Sequence, residues 1–234
     1  MIRSILFSVI VLLFVTSCDF DCLEGHGDVK TQARTVKPFK KISLGIDAKV
    51  ILVKDSVQSV RIEAQSNLLD AIDTEVSGDC LNIESEGCFS TNKQIIIYVS
   101  LPELAGVEIG GSGDIEGKSN FPAEDIELKI NGSGKINLEL SAKSIDAVIN
   151  GSGDIFLSGS TRDFRGEVAG SGNINADKMP ADKSKVEIHG SGNAYVFAIR
   201  KLDIDVAGSG NVYYKGSPDI SSNISGSGKL EKSH

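Results

Sequence analysis

The chain predicts an all-β fold, a parallel β-helix in which one short unit stacks on itself, and three observations predict it. The tripeptide Gly-Ser-Gly recurs seven times, at 111–113, 132–134, 151–153, 170–172, 190–192, 208–210 and 226–228, with starts 21, 19, 19, 20, 18 and 18 residues apart. Two residues before it stand Ile109, Ile130, Ile149, Val168, Ile188, Val206 and Ile224, all β-branched. Two residues after it stand Ile115, Ile136, Ile155, Ile174, Ala194, Val212 and Leu230, all apolar. A fixed period of this size is the mark of a repeat architecture.

Apolar residues alternate outward from each tripeptide, as in Ile126-x-Leu128-x-Ile130 and Ile136-x-Leu138-x-Leu140. Period-two alternation reads as half-buried strand, and the glycines mark a bend where φ can turn positive. Each repeat is therefore strand, tight bend, strand, then a polar return such as Ser158-Gly159-Ser160-Thr161. A meander of hairpins also satisfies this pattern. A period of about 19 residues suits one coil of two or three short faces better, with equivalent residues about 4.8 Å apart up the axis.

Before the repeats, strands without Gly-Ser-Gly are expected at 41–44, 49–53, 59–64, 72–76, 81–84, 94–100 and 107–109. Ser77-Gly78-Asp79 is a hairpin turn and 67–70 a single helical turn. Residues 38–106 thus form an N-terminal β region, either the irregular first coils of the same helix or a small β cap. Residues 107–234 form the repeat β-helix. At its far end, an open edge invites pairing with another copy of the chain, and Lys229, Glu231 and Lys232 are the charges that discourage it.

The first residues read as an export signal. Arg3 supplies the positive charge and Ile5 to Val15 an apolar run too short to span a bilayer stably. Val15-Thr16-Ser17-Cys18 resembles a bacterial lipobox, so 1–17 is expected to be removed and Cys18 lipidated, giving a membrane anchor. Residues 18–37, polar and without apolar periodicity, are then a tether. The acidic stretch after Cys18 resembles a surface-export signal in one class of bacterial lipoproteins and an inner-membrane retention signal in another. The expected address is the cell envelope, as an outer-membrane lipoprotein. With no membrane barrel following, the chain is expected to be a complete small envelope protein. In an oxidising compartment Cys80 and Cys88 are candidates for a disulfide across a short loop, with Cys22 left over.

The net charge of −8 argues against nucleic acid, which needs a basic footprint. No Cys/His spacing matches a zinc site, and no metal or cofactor is expected. Gly110-Gly111-Ser112-Gly113-Asp114-Ile115 partly resembles a calcium-binding glycine- and aspartate-rich repeat. However, the residue after the tripeptide runs Asp114, Lys135, Asp154, Asn173, Asn193, Asn211, Lys229, and lysine between aspartates is the wrong chemistry for calcium. The column is expected to be an Asp–Lys–Asp charge ladder followed by an asparagine ladder. Asp114, Asp154, Arg162, Asp163, Arg165 and His189 are the candidates for a polysaccharide-cleaving site, without a paired-acid motif. The candidate binding face is instead the polar strip of Ser112, Ser133, Ser152, Ser171, Ser191, Ser209 and Ser227, with Tyr195, Tyr213 and Tyr214 just beyond neighbouring bends.

The lipobox-like signal, the Phe39-x-x-Ile42 opening and the repeated Ile-x-Gly-Ser-Gly-Asp/Asn-Ile units resemble the bacterial "putative auto-transporter adhesin, head GIN domain" family over about residues 36–230. The resemblance implies a right-handed parallel β-helix on an exported protein and brings no catalytic residues. The chain departs from the family's name in having no translocator barrel, so the lipid is expected to do the anchoring. The expected function is that of a non-catalytic, adhesin-like module binding a surface glycan or protein partner. The alternatives are a polysaccharide-processing enzyme and a structural subunit of a surface assembly.

Overall fold

A computed structural model describes residues 22–233. In chain order the strands are β1 Leu23–Glu24, β2 Val29–Arg34, β3 Lys41–Leu44, β4 Lys49–Lys54, β5 Ser59–Gln65, β6 Ile72–Ser77, β7 Cys80–Ser85, β8 Phe89–Ser90, β9 Ile96–Leu101 and β10 Gly106–Ile109. The long ones follow: β11 Asp114–Ile130, β12 Lys135–Ile149, β13 Asp154–Gly170, β14 Asn173–Gly190 and β15 Asn193–Gly208. The last coils are β16 Val212–Lys215, β17 Asp219–Gly226 and β18 Leu230–Lys232. Sixteen of these share one sheet, and from β10 onward every pairing is parallel between one repeat and the next. Each repeat is thus one coil, and the hairpin meander is excluded.

The apolar sites flanking the tripeptide stack into two inward ladders. Leu44, Ile109, Ile130, Ile149, Val168, Ile188 and Val206 pair in register and are fully buried. Val50, Ile115, Ile136, Ile155, Ile174, Ala194 and Val212 do the same after the bend. Each buried aliphatic rung contributes about 1.5–3 kcal/mol relative to exposure. The polar return also joins the ladder: Leu140 pairs with Gly159 and Ala142 with Thr161. Leu140 and Phe121 there are fully buried. Its polar composition is mainly the outward half of a period-two pattern, and the one inward polar side chain, Thr161, is buried with its hydroxyl bonded to Lys143 O (3.3 Å) and Asp163 O (3.2 Å).

The bend needs glycine chiefly because coils approach closely there. A Cβ on Gly172 would collide with the carbonyl oxygen of Gly153 and come within 2.8 Å of Ile149 Cγ2. Within the Gly-Ser-Gly bends, positive φ is confined to the first glycine of the later repeats, as at Gly170 (φ 147°). The bend itself is held by Ser171 N donating to Gly151 O (2.9 Å) and Asn173 N to Gly153 O (3.2 Å). The serines at the seven bends are exposed.

The N-terminal region supplies both coils and a cap. Strands β3 and β4 form a coil that lies between β7/β9 on one side and β10/β11 on the other. Beyond it, β6, β5 and β2 pair antiparallel and cover the sheet edge. The turn at Ser77-Gly78-Asp79 makes the β6–β7 hairpin, with Gly78 at φ 63°. One 3-10 turn, Leu69–Ala71, occupies the expected helical turn.

Two expectations are corrected. Much of the 18–37 tether belongs to the body: β1 pairs with β8, β2 pairs with β5, and Arg34 Nη2 donates to Ile72 O at 3.1 Å. As an outer strand, β2 buries little and so lacks the apolar alternation that announces a strand. The disulfide joins Cys22 to Cys88, not Cys80 to Cys88. Cys80 opens the extended β7, which carries the chain roughly 16 Å away before the turn at Gly87, too far for three residues to return. The β1–β8 pairing instead sets Cys22 and Cys88 with Cα atoms 4.8 Å apart. Cys80 is a half-buried free thiol, its pKa pushed up chiefly by burial. Residues 1–17 and Cys18 lie outside the described residues.

Candidate functional site

Stacking coils in register converts one position per repeat into a continuous outward column. The residue after the bend gives Asp114, Lys135, Asp154, Asn173 and Asn193, each beside the next. Its second half is an amide ladder. Asn173 Nδ2 donates to Asp154 Oδ1 (2.8 Å), Asn193 Nδ2 to Asn173 Oδ1 (2.9 Å) and Asn211 Nδ2 to Asn193 Oδ1 (3.0 Å). Each acceptor oxygen from Asn173 on also takes the backbone N–H of the next coil's residue, as Asn193 N to Asn173 Oδ1 at 3.3 Å. These residues are therefore built into the bend.

The charge-ladder half differs from expectation. Among the described residues no ion pair within 4 Å ties Lys135 to Asp114 or Asp154. Its Nζ lies 5.8 Å from the centre of the Phe156 ring, where the ring quadrupole attracts a cation. The nearby ion pair is Lys49 with Glu116 (2.9 Å), and Glu116 also meets Lys118. Hydrogen bonds from these two ammonium groups hold the Glu116 carboxyl below its usual range.

The next outward column runs the length of the body: Ala33, Arg61, Tyr98, Ile51, Glu116, Asn137, Phe156, Asn175, Tyr195, Tyr213, Glu231, in register strand by strand. Arg61 lies over the Tyr98 ring at 5.2 Å. The Tyr195 and Tyr213 rings stack with centroids 4.7 Å apart and planes 10° from parallel. Tyr214 points the other way, partly buried against the core, and leaves the candidate face. Sequence reasoning missed Phe156, Asn137 and Asn175. Their signal was present, since each directly follows the isoleucine after a bend.

The candidate hydrolytic residues do not converge. Asp114 and Asp154 belong to the column after the bend, whereas Asp163 and Arg165 lie on the strand segment that leads to the following bend. Arg162 pairs with Asp163 at 2.7 Å. Arg165 is held by Glu187 (3.0 Å), Glu167 (2.8 Å) and Asp146 (3.5 Å), and its pKa is raised, foremost by the bond to Glu187. His189 is exposed between Ala169 and Ala207.

Solved structures share this architecture. An adhesin from Bacteroides fragilis, so named provisionally, superposes with a TM-score of 0.86 at 23% identity, covering 90% of this chain and all of that one. A protein from Parabacteroides distasonis named as a putative lipid binding protein gives 0.75 at 25% identity, covering 91% and 99%. A putative adhesin from Parabacteroides merdae gives 0.71 at 20%, covering 92% and 100%. No match was found among curated proteins. The family model described as "Putative auto-transporter adhesin, head GIN domain" matches residues 38–218, and the chain belongs to that family.

Proposed function

We propose that this protein is a non-catalytic, adhesin-like binding module of the bacterial envelope, tethered by a lipid on Cys18 and presenting its side columns to a surface glycan or a partner protein. The observation that carries the reading is the outward column from Arg61 to Tyr213, in which aromatic, amide and charged side chains repeat at coil spacing along one continuous face. A long flat face of this kind offers many modest contacts to an extended partner. The scattered carboxylates do not offer the paired acids that glycoside cleavage uses. Export is supported by the Cys22–Cys88 disulfide, since such bonds persist in oxidising compartments, and by the family's adhesin designation.

The test is a glycan and protein array probed with the purified body, together with adhesion of cells carrying or lacking the protein. Specific binding without turnover of the bound glycan is expected. Degradation of an acidic polysaccharide that disappears in Asp154→Asn would refute the non-enzymatic reading. Mass spectrometry of the mature N-terminus tests the anchor: an unmodified chain beginning elsewhere than Cys18 refutes it.

A further inference from the structure

The open edges of the main sheet are not guarded alike. Among the described residues β2, β6, β17 and β18 each pair on one side only. Charges on such strands oppose pairing with another chain. Strand β2 carries Lys30 and Arg34, β6 carries Asp73 and Glu75, and β18 carries Glu231 and Lys232 with Lys229 just before it. Strand β17 differs: after its first residue, Asp219, the chain has neither a charge nor a proline from Ile220 to Gly228. The guarding charges of the last coil thus sit on one limb, and the other limb is bare.

The bare limb also leaves the core unfinished. Ile220 and Ile224 continue the inward columns of Leu202 and Val206, but are 41% and 36% exposed where those two are at 0%. Their backbone is aimed at the open edge. In earlier coils the carbonyl at the Ile224 position accepts from the coil that follows: Asn131 N donates to Ile109 O (2.8 Å) and Asn150 N to Ile130 O (2.7 Å). Alternate residues of a strand present their backbone groups to the same neighbour. By register, Ile220, Ser222 and Ile224 therefore turn their N–H and C=O groups toward the edge that no described strand covers.

We infer that β17 pairs antiparallel with the β17 of a second copy, tail to tail about a two-fold axis, and that the two copies project from opposed cell surfaces; the second part rests on the anchored binding-module reading. The strand is self-complementary in this arrangement. With Ser222 on the axis, Ile220 of one copy lies opposite Ile224 of the other. Directly opposite side chains share a face, so isoleucine meets isoleucine and the two unfinished cores close on each other. Ile220, Ser222 and Ile224 then each exchange both backbone bonds with the residue opposite. The contact is isologous, so it uses up both bare edges and stops at two copies. A foreign strand is the competing occupant, but the placement of Ile220 and Ile224 symmetrically about Ser222 serves a second copy. The ladder runs β17, β15, β14, β13, β12, β11, β10, β3, β7, roughly 40 Å at about 4.8 Å per step. Cys22 is tied to Cys88, just beyond β7, at the far end from β17. Two joined copies thus hold their amino ends about 80 Å apart and facing away, a spacing that suits two surfaces. The contact is small, so many copies on each surface supply the strength.

The experiment uses the mature chain, residues 19–234, in three arms. Sedimentation velocity over a concentration series is expected to show a reversible monomer–dimer equilibrium. Ile224→Lys is expected to weaken it at least about tenfold, whereas Ser160→Lys, the same charge at an exposed mid-body position, leaves it unchanged. Circular dichroism of each variant separates a lost contact from a lost fold. The second arm reads the register in a Cys80→Ser background. Ser222→Cys is expected to form a disulfide-linked dimer under mild oxidation, since opposed Cα atoms of a bonded pair lie about 5.5 Å apart. Ser225→Cys, displaced along the strand from the axis, is expected to stay unlinked. In the third arm, an amino-terminal hexahistidine holds the chain on nickel-chelating phosphatidylcholine vesicles, independently of any lipid on Cys18. Such vesicles are expected to cluster, and vesicles bearing Ile224→Lys to remain dispersed. A wild-type chain that stays monomeric throughout, cross-linking of Ser225→Cys equal to that of Ser222→Cys, or vesicles that do not cluster overturns the inference. Array or cell binding that persists in such a monomer leaves the module reading standing. Edge-dependent dimers and clusters from a protein that binds nothing on arrays or cells would sink the module reading and leave the pairing.

Discussion

Adding one methyl group at a bend tests the stacking argument directly. In Gly172→Ala the new Cβ meets the Gly153 carbonyl oxygen far inside van der Waals contact, with Ile149 Cγ2 at 2.8 Å behind it. Neither neighbour is the free end of a flexible side chain, so the coils must part. Overpacking of this sort costs about 1–3 kcal/mol. Parting the coils also loosens the bonds that cross the bend, Asn173 N to Gly153 O and Gly172 N to Gly151 O (both 3.2 Å), each contributing about 1 kcal/mol. A loss of about 4 kcal/mol is expected, which lowers the urea midpoint by roughly 1.5 M for a slope of about 2–3 kcal/mol/M. The neighbouring Ser171→Ala, at an exposed position in the same bend, is expected to stay within about 0.5 kcal/mol of wild type. Equilibrium unfolding followed by far-ultraviolet circular dichroism measures both. A Gly172→Ala midpoint within about 0.2 M of wild type would refute the close-approach explanation of the repeated glycines.

Asn193→Ala removes one amide from the ladder and strands the Asn173 and Asn211 groups that bond to it, so a loss of about 1–3 kcal/mol is expected in the same unfolding assay. Cys22→Ser, or reduction, frees a loop closed over 66 residues and is expected to cost up to about 4 kcal/mol by chain entropy; thermal melts with and without reductant check it. Glu116 and Glu187 have native pKa values held below the usual 4.5, by Lys118 and Lys49 in the first case and by Lys185 and Arg165 in the second. Their contribution is complete above about pH 4.5 and is lost as pH falls through the lower native values. Urea midpoints measured downward from pH 6 are therefore expected to drop in that acidic window, and Glu116→Gln is expected to flatten the drop.

The repeats were legible because one residue per coil faces one environment along the whole stack. Ile130 and Ile149 occupy the same environment, so the same residue type recurs at a fixed spacing. Strand positions in 41–109 were legible for the same period-two reason. Their arrangement was not, because which coil lies on which is decided by long-range pairing that leaves no mark on local pattern. The β3–β4 coil carries Gly45-Ile46-Asp47-Ala48 where later coils carry the tripeptide, so nothing in it announces membership of the stack. The disulfide was misread for a related reason. Nearness in sequence suggested Cys80 as the partner of Cys88, whereas an extended strand separates neighbours and a two-residue pairing at the N-terminus brings Cys22 across. At the candidate site, the uneven 20- and 18-residue periods already marked the coil that bulges. Only the register shows that the extra residues form a bulge beside Phe156, with Lys178 exposed and Met179 turned into the core.

The placement of the β3–β4 coil between later-made neighbours bears on how an exported chain assembles. As the polypeptide emerges amino end first, this coil appears before either of the surfaces it will touch, with both its edges open. Residues 59–101 then arrive and close one edge, β7 and β9 pairing parallel with the coil and β5 and β6 capping them antiparallel. From that moment only the opposite edge remains as a template, and every later repeat lands on the one before it. Elongation in a single direction from a sealed base lets each coil fold as soon as about twenty residues have been delivered. A chain built this way never has to wait for its carboxyl end before burying its core.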